Sequence, residues 1–184
     1  LSLRLRHTRS YKRRKFVSLF EETLASIKPV DKSLEPAVLA RLDNLTKPKG
    51  SLGRLEEMAL KYCLARGTAS PGAVKKRIVC FAADHGVTEE GVSAFPREVT
   101  VQMVDNMLAG GAAVNVLSRH AGSELRIVDI GVAQPLPGRP GLIARKVKPG
   151  TANIAKGPAM SLSEAKKAVE EGITLALEAA DDGV

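Results

Sequence analysis

Two short apolar runs constrain the fold more than any other feature of this 184-residue chain. Residues 77–83 (RIVCFAA) and 125–130 (LRIVDI) are rich in apolar side chains and lack the strict alternation of a half-exposed strand. Such runs are typical of parallel strands that are covered on both faces. The segment between the two runs shows the apolar spacing of helices, in residues 97–108 and 112–120. A strand–helix–strand unit of this kind places its two strands in one parallel sheet. The sequence therefore predicts an α/β domain.

The flanking segments extend this prediction. Residues 17–28 and 36–45 show helical spacing, and Ser51 is predicted to cap a third helix. Glycine and proline residues in 67–72 indicate a linker, so residues 31–70 form a helical segment ahead of the sheet.

The region after the second strand holds two more elements. Residues 142–147 favour a short strand, which would lie at an edge. Ser161 and Glu164 match a capping box, which predicts a helix ending near Ala180. Residues 71–184 are therefore expected to be the α/β part of the chain.

The net charge of +8 is concentrated at one end. Seven of the 28 Lys and Arg residues lie in residues 1–16, which leaves 21 basic against 20 acidic residues elsewhere. Three interpretations of this tail are a nucleic-acid-binding arm, a targeting peptide and a leader from a misplaced start. Glu21 and Glu22 interrupt the apolar region that an export signal needs, so export is not expected. We expect residues 1–30 to be a basic leader, disordered or with a short helix, and expect no nucleic-acid partner.

Several other classes of site and location are not expected from this sequence. No apolar stretch reaches the ~18 residues of a membrane span, so no membrane partner is expected. Neither a dinucleotide fingerprint nor a P-loop is present, and the three histidines lack metal-ligand spacing. Cys63 and Cys80 each fall in an apolar run, which favours buried thiols in a reducing compartment.

Two aspartates mark the predicted carboxyl ends of the strands. Asp84, followed by His85, comes after the first strand, and Asp129 lies at the end of the second. Ligands of open parallel sheets bind at this edge, which suggests a shared crevice. Aspartates at strand ends also cap helices and fix loops, and the pattern does not separate these interpretations. For His85, a hydrogen bond within the loop is the favoured role.

Four segments, taken in order over about residues 37–184, resemble the nicotinate-nucleotide–dimethylbenzimidazole phosphoribosyltransferase family. Each segment alone is short, and it is their order and spacing that carry the resemblance. They are residues 45–56 (LTKPKGSLGRLE), 83–100 (with ADHGV, EGVSAFP and EVT), 128–132 (VDIGV) and 150–161 (GTANIA and GPAMS).

The resemblance implies a function and an architecture. Members of the family transfer phosphoribose from nicotinate mononucleotide to dimethylbenzimidazole, giving α-ribazole phosphate and nicotinate for the lower ligand of cobalamin. It further implies a cytoplasmic homodimer without metal or other cofactor. The fold would be a Rossmann-like sheet beside a small helical domain. Residues 31–70 would belong to the helical domain, and residues 71–184 would be the first part of the sheet domain.

The resemblance also implies a base pocket. The matching positions are Phe95, Val99 and Met103, with Asp84 and His85 at the substrate-binding edge. An aromatic, a branched aliphatic and a thioether side chain suit a flat apolar ring. Because Val99 and Met103 lie four residues apart on a helix, a role in the core explains them equally well.

The family's catalytic groups have no counterpart among these 184 residues. The general-base glutamate and a Gly-Glu segment that holds the phosphoribosyl group would both follow Val184, so no catalytic residue is assigned here. One hypothesis is therefore an enzyme represented by part of its chain. The alternative is an inactive remnant that at most binds the base or dimerises.

We predict that the purified 184-residue product forms no α-ribazole phosphate, because the glutamate that would accept the ring-nitrogen proton of the attacking base is missing. The measurement is chromatography of reactions that contain nicotinate mononucleotide and dimethylbenzimidazole. Product above the level of a protein-free control would contradict the prediction.

Overall fold

A computed structural model describes residues 17–184 of the chain. The interpretations of the basic segment 1–16 lie outside the described residues. Among the helices of residues 17–184, none combines the length and the hydropathy that crossing a lipid bilayer requires.

The centre of the fold is a three-stranded parallel sheet in the order β1-β2-β3. The strands are β1 (Arg77–Ala83), β2 (Glu124–Gly131) and β3 (Leu142–Ala144). The prediction of an α/β fold and of the first two strands is confirmed. The third strand is shorter than the predicted 142–147, although Arg145 and Val147 continue to donate backbone hydrogen bonds to Asp129 and Ile130.

Two helices, α4 (Glu98–Leu108) and α5 (Ala113–His120), form the crossover between β1 and β2. Cys80 pairs with Ile127 and Ala82 pairs with Asp129, which places the side chains of both pairs on one face of the sheet. Val104 of α4 is fully buried and packs on this face with Ala82 and Ile127. Val101 and Leu108 of the same helix also pack against this cluster.

A long helix, α6 (Leu162–Asp181), follows the sheet. Its predicted capping box is present, because Ser161 Oγ accepts a hydrogen bond from Glu164 N and the Glu164 carboxylate accepts one from Ser161 N. The first helix, α1 (Leu19–Ser26), packs on α6. Phe20 N donates to Glu170 Oε1 at 3.1 Å, so this early segment is attached to the α/β unit.

Two helices that precede the sheet in the chain pack on each other, α2 (Glu35–Asp43) and α3 (Arg54–Ala65). The prediction that Ser51 caps α3 is wrong, because the residue before the helix is Gly53 and no side chain caps it. Gly50 and Gly53 both have positive φ and form successive turns. Lys47 Nζ lies 2.8 Å from Glu56 Oε1, and Glu56 also accepts from Leu52 N, which fixes this turn to the helix.

Replacing Ser161 with Ala should lower the free energy of unfolding by about 1 kcal/mol, because the Glu164 amide loses its acceptor. Denaturant unfolding followed by circular dichroism measures the change. Ser51→Ala, at an exposed serine that caps no helix, is the matched control and should change it by less than about 0.5 kcal/mol. Equal losses for the two variants would contradict the capping role.

Candidate functional site

The carboxyl ends of β1 and β2 are joined through the backbone of Asp84 and Gly131. Gly131 O accepts hydrogen bonds from Asp84 N at 3.0 Å and from Gly150 N at 2.9 Å. Asp84 O in turn accepts one from Thr151 N at 3.0 Å. A Cβ on Gly131 would lie 3.3 Å from the Cβ of Ala83, so a side chain there would crowd the junction.

The carboxylate of Asp84 ties two further segments to this junction. Its side chain is buried, with the residue only 6% exposed. Oδ1 accepts a hydrogen bond from Thr100 Oγ1 at 2.6 Å, and Oδ2 accepts one from Ala133 N at 2.7 Å. Thr100 belongs to the first turn of α4 and Ala133 to the loop after β2. Two hydrogen bonds to a charged acceptor compensate for its removal from water.

Asp129 has a similar role at the end of β2. Its Oδ1 accepts a hydrogen bond from Val132 N at 2.9 Å, and its Oδ2 lies 3.2 Å from Lys146 Nζ. Of the two interpretations of the strand-end aspartates, the structure shows the loop-fixing contacts for both residues. A ligand contact by Asp84 stays a prediction.

A cavity of about 400 Å³ lies beside β1 and α4, at the same edge of the sheet. We call it the β1–α4 cavity, and its walls include Cys80, Phe95, Val99, Thr100, Met103 and Met107. Phe95 is 68% exposed and Met103 is 43% exposed, whereas the neighbouring Val104 is fully buried. The structure therefore places Val99 and Met103 on the cavity side of α4, and the alternative that they belong to the core cluster is not observed.

Two hydroxyl groups and a thiol of the cavity wall are engaged within the chain, and the polar side chains of His85 and Arg97 also line it. Ser93 Oγ donates to Phe95 O at 2.8 Å, and Thr88 Oγ1 donates to His85 O at 2.9 Å. The Cys80 thiol points to Met107 Sδ at 3.6 Å. The cavity thus combines an aromatic ring, aliphatic carbon and polarisable sulfur, which is a suitable environment for a flat apolar molecule.

His85 stands between this cavity and a smaller one. The second cavity, of about 130 Å³, borders His85, Ile130, Val147, Met160 and Ala168. His85 Nδ1 lies 3.4 Å from Thr151 Oγ1, in agreement with the favoured loop hydrogen bond, and the side chain is exposed. The structure brings His85 to the same edge as Asp84, Phe95, Val99 and Met103.

Sequence reasoning missed two parts of this site. The apolar run predicts a buried thiol for Cys80, and this is wrong, because the residue is only half-buried and lies in the wall of the β1–α4 cavity. Met107 lies one turn beyond Met103, and continuing the i, i+4 spacing from Val99 would have found it. Within residues 17–184, no group of three or more His, Cys, Asp or Glu side chains is placed to hold a metal ion.

The comparisons with known proteins agree with this architecture. Residues 27–184 match the phosphoribosyltransferase family model DBI_PRT, which is most of the chain. The chain belongs to this phosphoribosyltransferase family.

Individual relatives give the same assignment. The nicotinate-nucleotide–dimethylbenzimidazole phosphoribosyltransferase of Chlorobaculum parvum is 60% identical over 89% of this chain and 46% of its own length. The enzyme of that name from Geobacter metallireducens is 55% identical over 91% of this chain and 48% of its own length. The crystal structure of the Thermus thermophilus enzyme matches with a TM-score of 0.79 and 46% identity, over 84% of this chain and 47% of that one. The chain thus spans about half the length of the phosphoribosyltransferases it matches.

The Asp84–Thr100 hydrogen bond yields a stability prediction. Thr100→Val keeps the shape of the side chain but leaves a buried carboxylate oxygen without its donor, so it should lower the free energy of unfolding by about 1–3 kcal/mol. Thr100→Ser keeps the hydroxyl and is the matched control. Urea unfolding of both variants tests this, and a valine variant as stable as the serine variant would contradict it.

Proposed function

We propose that this chain is the base-binding part of an enzyme that transfers phosphoribose from nicotinate mononucleotide to dimethylbenzimidazole. The proposal includes a homodimeric, cytoplasmic protein and the products α-ribazole phosphate and nicotinate. Family membership supports the type of reaction. Two relatives named for this reaction, at 55–60% identity, support the substrates.

The observation that carries the proposal is the β1–α4 cavity. Its volume of about 400 Å³ is within the usual range for small-molecule sites. Phe95, Val99 and Met103, which match the family's base-pocket positions, all line it. Dimethylbenzimidazole is flat and its methylated ring has no hydrogen-bonding group, so it suits a wall made of these side chains.

The ends of the cavity differ in polarity, which would orient the base. Asp84, His85 and Thr100 lie at the end near the carboxyl edge of the sheet, and Met103 and Met107 lie further along α4. The methylated ring would pack on the methionines, and the ring nitrogens would face the strand end. In the reaction a ring nitrogen bonds to C1′ of the ribose as the C1′–nicotinate bond breaks, and the other nitrogen loses its proton.

Asp84 and His85 have different roles in this proposal. Asp84 would position α4 through Thr100, and its oxygens, which each accept one hydrogen bond within the chain, would keep lone pairs for a contact with the substrate. His85 is exposed at the mouth, and one ring nitrogen faces Thr151. The other nitrogen would be the polar contact for the substrate.

The proposal assigns the parts of the chain to two domains. Residues 31–70, which contain the α2–α3 pair, would belong to the small helical domain. Residues 71–184 would contribute β1, β2 and β3 to the Rossmann-like sheet. The general-base glutamate that the family resemblance implies would come from outside these 184 residues, as would the phosphoribosyl-holding segment.

Equilibrium binding of dimethylbenzimidazole to the 184-residue chain tests the proposal. Met103→Ser should weaken binding by about fivefold or more, because it removes apolar contact area worth about 1 kcal/mol from the wall. Met58→Ser is the matched control, since Met58 is exposed on α3 and does not line the cavity. Calorimetric titration gives the affinities.

Three outcomes are possible in this titration. Saturable binding that Met103→Ser weakens and Met58→Ser leaves unchanged supports the base-binding role. Binding that is insensitive to Met103 would place the base elsewhere. The absence of binding by the wild-type chain would contradict the proposal.

A further inference from the structure

Residues 150–156, which we call the strap, cross over the short 3₁₀ helix Gly86–Glu90 that follows β1. Gly86 N donates a hydrogen bond to Thr151 O at 3.0 Å, and Thr151 N donates one to Asp84 O at 3.0 Å. These bonds form a parallel bridge between His85 and Thr151, beyond the end of the sheet. The strap therefore continues the pairing of β1 by a few residues.

The strap and the 3₁₀ helix are in direct backbone contact at Gly86. A Cβ at this position would lie 2.5 Å from Asn153 N and 2.6 Å from the carbonyl carbon of Ala152. No side chain fits at such distances, so only glycine allows the approach. The strap and the 3₁₀ helix therefore pack backbone against backbone at this point.

Asn153 connects the two segments with both ends of its amide group. Its Oδ1 accepts a hydrogen bond from Ala155 N at 3.0 Å, which holds the strap in a local turn. Its Nδ2 donates to Glu90 Oε1 at 2.6 Å and approaches Glu89 Oε2 at 3.5 Å. A side chain that both donates and accepts is required in this arrangement.

Lys156 completes the contact with the two glutamates. Its Nζ lies 3.2 Å from Glu89 Oε2 and 3.4 Å from Glu90 Oε1. Hydrogen bonds from Lys156 and then Asn153, with the positive charge of Lys156, lower the pKa of the Glu89 carboxyl. These groups are exposed, so charge attraction alone contributes little and the directional amide hydrogen bonds define the geometry.

The contact continues from Glu89 to the wall of the β1–α4 cavity. Arg97 Nη2 lies 3.4 Å from Glu89 Oε1, and Arg97 Nε donates to Thr88 Oγ1 at 3.0 Å. Thr88 and Arg97 both line the cavity. Arg97 also immediately precedes α4, whose first turn carries Val99. A shift of the 3₁₀ helix would therefore move Thr88 and Arg97 at the mouth of the cavity.

We propose that Asn153 is a positioning residue for the base site, acting through Glu90, Glu89 and Arg97 without touching the base. Asn153 does not line the β1–α4 cavity. The proposal rests on the proposed function for its ligand, dimethylbenzimidazole. It goes beyond that function because it assigns a role to a segment distant in sequence from the site.

Asn153→Asp is the decisive change, because it keeps the acceptor for Ala155 N but turns a carboxylate oxygen towards two glutamates. Glu90→Gln is the compensating change, since a glutamine amide at position 90 donates to the introduced carboxylate and restores the hydrogen bond with reversed polarity. Glu90→Gln alone should stay close to the wild type, because it still accepts from Asn153 and loses only the exposed charge contact with Lys156. Asn44→Asp, at the exposed end of α2, is the control for the substitution itself.

Two measurements on the 184-residue chain test the proposal. The first is amide hydrogen exchange by mass spectrometry, which needs no ligand. Asn153→Asp should accelerate exchange in residues 86–97 and leave residues 124–131 unchanged, and the double variant should restore the wild-type rate. The second is calorimetric titration with dimethylbenzimidazole, in which Asn153→Asp should weaken binding by about three- to tenfold. The double variant should recover most of this loss.

The outcomes separate this proposal from the proposed function. Unchanged exchange in residues 86–97, or faster exchange that Glu90→Gln does not reverse, overturns the positioning role. So does wild-type affinity in Asn153→Asp when the wild-type chain binds the base. A wild-type chain that binds no base contradicts the proposed function and its ligand, and the exchange data then decide whether the strap positions the cavity wall.

Discussion

The buried carboxylate of Asp84 is the interaction on which the rest of the site depends. Removing a carboxylate from water is costly unless hydrogen bonds replace its hydration. The donors that replace water are Thr100 of α4 and Ala133 after β2, so the carboxylate has both hydrogen bonds only when both segments are in place. The backbone of the same residue bonds to Gly131 and Thr151. One residue therefore joins β1, α4, the end of β2 and the strap.

This junction gives α4 two functional faces. Val104 packs on the sheet with Ala82 and Ile127, and it is fully buried. The hydrogen bond from Thr100 to Asp84 fixes the first turn of α4 to the end of β1, and Val99 and Met103 line the β1–α4 cavity from this helix. The helix consequently packs on the core through Val104 and presents Val99 and Met103 to the β1–α4 cavity, where the proposed function places the base.

The sequence predicted those elements whose pattern is local. The strands β1 and β2 follow from the apolar runs 77–83 and 125–130, and the capping box at Ser161 and Glu164 follows from two residues. The prediction of a cap at Ser51 is wrong, because Gly50 and Gly53, both with positive φ, redirect the chain before α3. Sequence could not separate core from cavity for Val99 and Met103, since both environments require apolar residues at helical spacing. The contact of the strap with the 3₁₀ helix joins residues more than sixty positions apart, and no local pattern specifies it.

The most direct test of base binding uses the four methionines of the chain as reporters. Met103 and Met107 line the β1–α4 cavity, Met160 lines the second cavity, and Met58 lies on α3. Methyl groups near an aromatic ring shift in the nuclear magnetic resonance spectrum of a chain with 13C-labelled methionine methyls. Adding dimethylbenzimidazole should shift the signals of Met103 and Met107 in a saturable manner and leave those of Met58 and Met160 in place. Shifts confined to Met160 or Met58, or no shift at saturating base, would contradict the assignment of the cavity as the base site.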